Sequence, residues 1–255
     1  MDVSTNVSAS GADADTSTLV IKRLSDDQVW ISNAARASVR YSPASTSKIP
    51  HTLIALEELD LTSETPFIWN GAATWNDNWN RDHTLVTAFQ QSVVWAYQDI
   101  TTRVGYEGMQ WWMAGLSYGN QSIGSEEQLT SYWLDGTLRI SAQEQIDFLS
   151  RLVREQLPLA NETYAEAADI MEVGHGAGWS LMAKTGWWYD ANITDIGWYV
   201  GWLTCEDDAY VFAFNLDMPD RTYRTKRQSV VGSVLSDVLV GQGHGRCASF
   251  ASAIN

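Results

Sequence analysis

Ser45-Thr46-Ser47-Lys48-Ile49-Pro50 is the stretch on which the reading of this chain turns, and three more short motifs follow it in order: Ser92-Val93-Val94, Tyr118-Gly119-Asn120 and Lys184-Thr185-Gly186. Each fragment alone is common, and S-x-x-K by itself is weak evidence. Together they supply the parts of an acyl-transfer site: a hydroxyl nucleophile, an amine one helical turn away, a second hydroxyl and a cationic strand that can hold a carboxylate. Pro50 lies within the first turns of an apolar-periodic run from Ser45 to Leu59, where a missing amide is tolerated. Ser45 is therefore expected at a helix N-terminus, with Lys48 on the same face. An alcohol needs a base within hydrogen-bond reach, and an ordinary lysine is protonated at neutral pH. Burial can change that, lowering a lysine pKa by up to about 3–5 units.

Taken singly, these residues have bland readings. The Ser45–Lys48 pair would be a solvated turn, Ser92 would bond back to a carbonyl one turn earlier, Lys184 would end a charged strand and Arg227 would be a surface arginine. Their co-occurrence is what argues otherwise.

Outward from the motifs, Thr18–Arg23 and Gln28–Asn33 read as short strands split by a turn at Ser25-Asp26-Asp27. Residues 61–81 form an aromatic-rich loop, and Asp82 is the expected N-cap of a helix over about 85–104. A further helix is expected from about Tyr106. Ser141-Ala142-Gln143-Glu144 is a capping box that opens an amphipathic helix to Leu157, and Asn161–Val173 is another helix. The period then changes: Trp179–Thr185, Gly197–Cys205 and Tyr210–Leu216 predict an antiparallel meander, and Thr225–Val240 returns to helix. Strands at both ends with helices between predict an α/β chain of the α+β type, one antiparallel sheet built from both termini and flanked by helices, with a helical region inserted. The expected organisation is a disordered segment over 1–17, one domain over 18–240 (sheet lobe about 18–60 and 175–240, helical lobe about 61–174) and a flexible tail over 241–255.

Against 31 acidic residues stand 16 basic ones, a formal charge of −15. That field repels nucleic acid and anionic membranes, so neither is an expected partner. An anionic substrate would need a local positive pocket. No stretch is apolar for long enough to insert in a membrane. Met1–Ser17 is polar and lacks the core of a secretion signal, which is either absent or already removed. Cys205 and Cys247 form no metal motif and could pair or stay free. His51, His83, His175 and His244 have no ligand spacing, so no metal is assigned. The thirteen tryptophans are scattered along the chain, which favours core packing over a sugar-binding face.

From about Val29 to Val240 the chain resembles the class D serine β-lactamases. The resemblance rests on the four motifs together with Trp95, Trp133-Leu134-Asp135-Gly136-x-Leu138-Arg139-Ile140-Ser141, Gly197-Trp198-Tyr199-Val200-Gly201-Trp202 and Phe212-Ala213-Phe214-Asn215. It implies the penicillin-recognising transpeptidase/β-lactamase fold and β-lactam hydrolysis through an acyl-enzyme on Ser45. It implies no cofactor beyond the carbon dioxide or bicarbonate that carboxylates Lys48, and a monomeric or homodimeric, periplasmic or secreted enzyme. In the implied site Ser45, Lys48, Ser92, Lys184 and Trp133 are catalytic, and Trp133 donates its indole N–H to the carbamate. Thr185, Gly186, Trp187 and Arg227 contact substrate, and Val94, Leu134 and Tyr118 complete the pocket. Two positions depart from the family: Ser47 replaces an aromatic residue, and Trp187-Trp188 makes a bulky start to the loop after Lys-Thr-Gly. A non-hydrolysing β-lactam sensor domain and a D,D-peptidase are the rival readings.

Overall fold

The structure is a computed structural model that describes residues 1–252. The chain opens with α1 (Ser4–Ala9) and the antiparallel pair β1 (Ser17–Arg23) and β2 (Val29–Ile31), followed by a short turn of helix α2 (Ala34–Ala37). A 3-10 turn over Ala44–Ser47 leads into α3 (Lys48–Leu59). The helical region contains a two-strand ribbon, β3 (Pro66–Phe67) and β4 (His83–Thr84), then α4 (Leu85–Gln90), α5 (Val94–Gly115), α6 (Ala142–Val153) and α7 (Asn161–Met171). The chain returns through β5 (Glu172–Gly176), β6 (Trp179–Trp188), β7 (Asp195–Cys205) and β8 (Asp208–Met218), and closes on α8 (Tyr223–Gly241). The six-stranded sheet has the order β2-β1-β8-β7-β6-β5, antiparallel throughout. The first strand therefore lies against the last, as the expected sheet from both termini requires.

Both faces of the sheet's central strands are dry, which explains why they read as near-continuous apolar runs. On β7, Trp198, Val200 and Trp202 join the core beneath the helical region, while Tyr199, Leu203 and Cys205 join a second core under α8. The period of two survives as a choice between two cores. Gly201 on the same strand leaves no room for a side chain, since a Cβ there would lie 2.1 Å from the Met182 carbonyl oxygen.

The structure differs from the sequence reading at both ends. Residues 1–17 were expected to be disordered, yet Val3, just before α1, and Val7, one turn into it, are buried in the α8 core with Ala12. Met1 is also tied in, its carbonyl accepting the Ile31 N–H at 2.8 Å. Two apolar residues suffice because the rest of that short helix faces water, so composition alone hides it. The tail beyond residue 240 was expected to be flexible, but Gly245–Ser252 forms a 3-10 turn with Cys247 and Phe250 buried, and Cys205 and Cys247 are joined in a disulfide. Residues 253–255 of the expected tail lie outside the described residues.

Asp82 is not a helix cap. Thr84 caps α4, its hydroxyl accepting the Thr87 N–H, and the Asp82 carboxylate takes the Trp69 N–H instead. The helix expected over 85–104 breaks at Ser92, which has a left-handed backbone (φ 57°), and α5 begins afresh at Val94. A second break at Gly105 (φ 79°) gives the separate helix expected from Tyr106. The helix expected to reach Val173 stops at Met171, and the next residues form the edge strand β5. Among the described residues no helix is long and apolar enough to cross a membrane.

The disulfide closes a loop of 42 residues. Breaking it with Cys247→Ser should cost roughly 3–4 kcal/mol by the loop-entropy relation, read as a lowered urea midpoint; an unchanged midpoint would mean that packing alone holds the tail.

Candidate active site

Ser45 is placed by a strained turn. Ala44 has a left-handed backbone (φ 47°), and the 3-10 geometry that follows raises Ser45 to the surface of a cleft while Thr46, Ser47 and Lys48 turn inward. Side chains brace this turn: the Thr46 hydroxyl donates to the Pro43 carbonyl at 2.8 Å and that of Ser47 to the Ala44 carbonyl at 2.7 Å. The Ser42 hydroxyl donates to the Trp133 carbonyl at 2.8 Å, and the Trp198 indole donates to the Ser42 carbonyl at 3.0 Å. The turn is thereby fastened to both the sheet and the loop carrying Trp133. Ser47, where the resemblance implies an aromatic residue, is absorbed by this bracing.

Lys48 opens α3 with its Nζ 3.4 Å from Ser45 Oγ. The side chain is wholly buried and its amine stands 4.9 Å from the centre of the Tyr97 ring. Burial, helped by the nearby Lys184, holds its pKa well below the ordinary lysine value. Across the site, Lys184 Nζ donates to Ser92 Oγ at 2.5 Å and to the Thr185 carbonyl at 3.3 Å. Burial and then the charge of Arg227 lower Lys184 to about 7. The left-handed turn at Ser92 thus frees its hydroxyl from back-bonding within a helix and gives it a lysine partner.

β6 can approach the Ser45 turn only because residue 186 is glycine: a Cβ there would sit 2.8 Å from the Pro43 carbonyl oxygen. Arg227 is braced on α8, its Nη1 donating to the Gly186 carbonyl at 2.7 Å and its Nε to the Arg224 carbonyl at 2.9 Å. Burial and then Arg224 lower it to about 10, so it stays charged at neutrality. The Trp187 indole donates to Asp195 at 2.6 Å. Ser45, Ser92, Val94, Leu134, Thr185, Gly186, Trp187 and Arg227 line one cleft of about 410 Å³. A larger hollow of about 1010 Å³ adjoins it, sharing Trp75 and Trp187, but it holds none of the reactive groups.

Two residues stand differently from their sequence reading. Tyr118 is wholly buried and does not line the cleft; its hydroxyl accepts from Gln145, which also donates to Thr46. It props the Ser45 turn from behind and shows no surface to the cleft. Trp133 is buried against His51, ring centres 4.9 Å apart, and among the described residues its indole N–H has no hydrogen-bond partner. A buried, unpaired donor is costly, so its presence points to an acceptor that belongs there.

His51, Gln145 and Trp75 escaped the sequence reading. His51 follows Lys48 by one turn, is wholly buried, and bonds the Tyr132 hydroxyl at 2.6 Å. Burial and then Lys48 lower its pKa to about 3, so it is neutral. Its helical spacing from Lys48 was the available signal. Gln145 and Trp75 reach the site from separate elements, which gave no local signal. Among the described residues no group of three or more His, Cys, Asp or Glu is arranged to hold a metal.

This fold and this cluster define a penicillin-recognising serine acyl-transferase. Residues 8–239 match the family described as the penicillin binding protein transpeptidase domain. Within it the relatives are narrower. The beta-lactamase OXA-20 of Pseudomonas aeruginosa is 37% identical over 222 residues, 86% of this chain and 81% of that protein. The beta-lactamase OXA-48 of Klebsiella pneumoniae is 37% identical over 210 residues, 82% and 78% of the two chains. The crystal structure of a class D beta-lactamase from Nostoc superposes with a TM-score of 0.87 at 32% identity, covering 91% of this chain and 96% of that one. This chain belongs to the class D β-lactamases.

Gly186→Ala should lower kcat by about 10²-fold, because separating β6 from the Ser45 turn misplaces the reacting groups. The steady-state rate and the thermal midpoint, measured together, check this; loss of rate only in proportion to unfolding would refute it.

Proposed function

We propose that this protein hydrolyses the amide bond of β-lactams through an acyl-enzyme on Ser45. The observation that carries the reading is the Ser45 hydroxyl 3.4 Å from the amine of a wholly buried lysine. A buried ammonium is disfavoured, so Lys48 is held as a free amine, the only form of lysine that can accept a proton or combine with carbon dioxide. The unpaired indole N–H of Trp133 fits a carboxylated Lys48, and Val94 and Leu134 would shield it; that group supplies an anionic oxygen base when present.

The chain's own groups divide the work. Ser45 Oγ attacks the lactam carbonyl as its proton passes to the Lys48 side chain. Backbone N–H groups of Ser45 and Trp187 receive the developing oxyanion, each such donor being worth roughly 2.7–4 kcal/mol in other enzymes. The Lys184–Ser92 pair faces the departing lactam nitrogen and delivers its proton, and a lysine at about 7 is matched to that task near neutrality. Thr185 and Arg227 hold the ring carboxylate. The proton that Lys48 took from Ser45 replaces the one the Lys184–Ser92 pair gave up. The Lys48 side chain can then draw a proton from the water that attacks the acyl carbon and return it to Ser45 Oγ as that oxygen leaves. The Cys205–Cys247 bridge supports a periplasmic or secreted location, where disulfides persist.

Excess penicillin should yield many equivalents of opened product per protein. A burst that stops at one equivalent would instead identify a sensor domain. At low pH the Lys48 amine takes up a proton and cannot carry carbon dioxide, so activity should fall on removing bicarbonate and recover on its return; indifference at every pH would make the unmodified amine the base.

Lys48→Met should lower turnover by at least about 10²-fold, the usual scale of a lost general base. The same variant should unfold about 1–2 kcal/mol less readily, since it replaces a buried amine with a side chain of similar size. A variant that is inactive but less stable would contradict the stored cost assigned to Lys48.

A further inference from the structure

The residues that line the 410 Å³ cleft include two arginines, Arg224 and Arg227, and no carboxylate. In a chain with 31 acidic residues this is a local inversion of the overall charge. The adjoining hollow is different, since Asp195 and Asp220 line it together with Arg221.

The two cleft arginines are not equivalent. Arg227 is buried and commits Nε and Nη1 to backbone carbonyls. Arg224 is exposed, and among the described residues its guanidinium has no hydrogen-bond or ion-pair partner. It lies instead over the Trp187 ring, with Cζ 4.9 Å from the ring centre. That contact holds the guanidinium beside the Trp187 ring without using its N–H donors. Arg224 precedes Arg227 by one helical turn, so the two lie on the same face of α8.

We propose that Arg224 is a specificity-determining residue that selects β-lactams bearing a second negative charge beside the ring carboxylate. The inference rests on the β-lactam reading above, in which Thr185 and Arg227 take the ring carboxylate. One turn away, Arg224 then faces whatever is attached to the neighbouring ring atom. In a cephalosporin that atom is C3, so the preferred ligand class is a cephalosporin with an anionic C3 substituent. Asp195, bonded to the Trp187 indole, and Asp220, tied to Thr222, belong to the adjoining hollow and do not line the cleft.

Cefotaxime and ceftriaxone make a matched pair, with the same acyl side chain and, at C3, a neutral acetoxymethyl group or an acidic heterocycle ionised near neutrality. Each is measured as a competitor of a chromogenic cephalosporin, so that slow turnover still gives a constant. Exposed charge pairs are weak, so Arg224→Gln should weaken ceftriaxone relative to cefotaxime by about three- to fivefold. The change should lie in KM or the inhibition constant, and Arg224→Lys should retain part of the preference. In the wild type the same preference should shrink as salt is raised from about 0.05 to 0.5 M, an arm that needs no variant. Equal loss on both compounds, carried by kcat, would reduce Arg224 to a packing residue for Trp187. A ratio unmoved by mutation, or by salt, would also overturn the proposal. Failure of the wild type to open the chromogenic reporter would overturn the β-lactam reading itself, which sets that failure apart from the others.

Discussion

An amine that water cannot reach is the condition on which this site depends. Lys48 is wholly buried among aromatic and aliphatic side chains, and a charge placed there loses its hydration with little in return. The neighbouring Lys184 pushes in the same direction. The depressed pKa of the amine beside Ser45 is thus a property of the core as much as of the cleft. The surrounding side chains come from several elements: Tyr97 from α5 lies against the amine, His51 from α3 itself is close enough to feel its charge, and Trp133 from the loop before α6 packs on His51.

The sheet determines whether that amine meets its substrate. β6 carries Lys184, Thr185, Gly186 and Trp187 in register with β7, and the missing side chain at Gly186 lets the strand close on the Ser45 turn. β7 is buried on both faces, so it is a stiff support held between two cores. The α8 core on the far side includes Val7 from the amino terminus and Cys247 and Phe250 from the carboxyl-terminal region. Segments remote in sequence therefore back the strand that presents the cationic wall. Charge follows the same economy of placement: a surface of net −15 tolerates an anionic ligand because the cleft lining includes arginines and excludes carboxylates.

Much of this was legible in the residue order. The capping box at Ser141 and Glu144, the period-two strands of the meander and the ordered polar motifs depend on contacts within a few residues, and such contacts leave local patterns. α1 was not legible, because two valines in a polar segment become an apolar stripe only when α8 is there to cover them. Nor was the break at Ser92: the run from Leu85 is helical by pattern, and a left-handed residue within it makes sense only once Lys184 stands opposite.

By its own order of residues the chain determined the parts from which the proposed chemistry is drawn, since a serine hydroxyl, an amine, a second hydroxyl and a cationic strand are residue types at fixed spacings. Tertiary structure alone decided which side chains touch the cleft and which stand behind it. Tyr118 props the turn through Gln145, the cysteines are joined across 42 residues, and among the described residues Arg224 is left without an acidic partner beside Arg227. The reason is physical: burial and pairing depend on what the rest of the chain brings to a point in space, and local sequence carries no record of that.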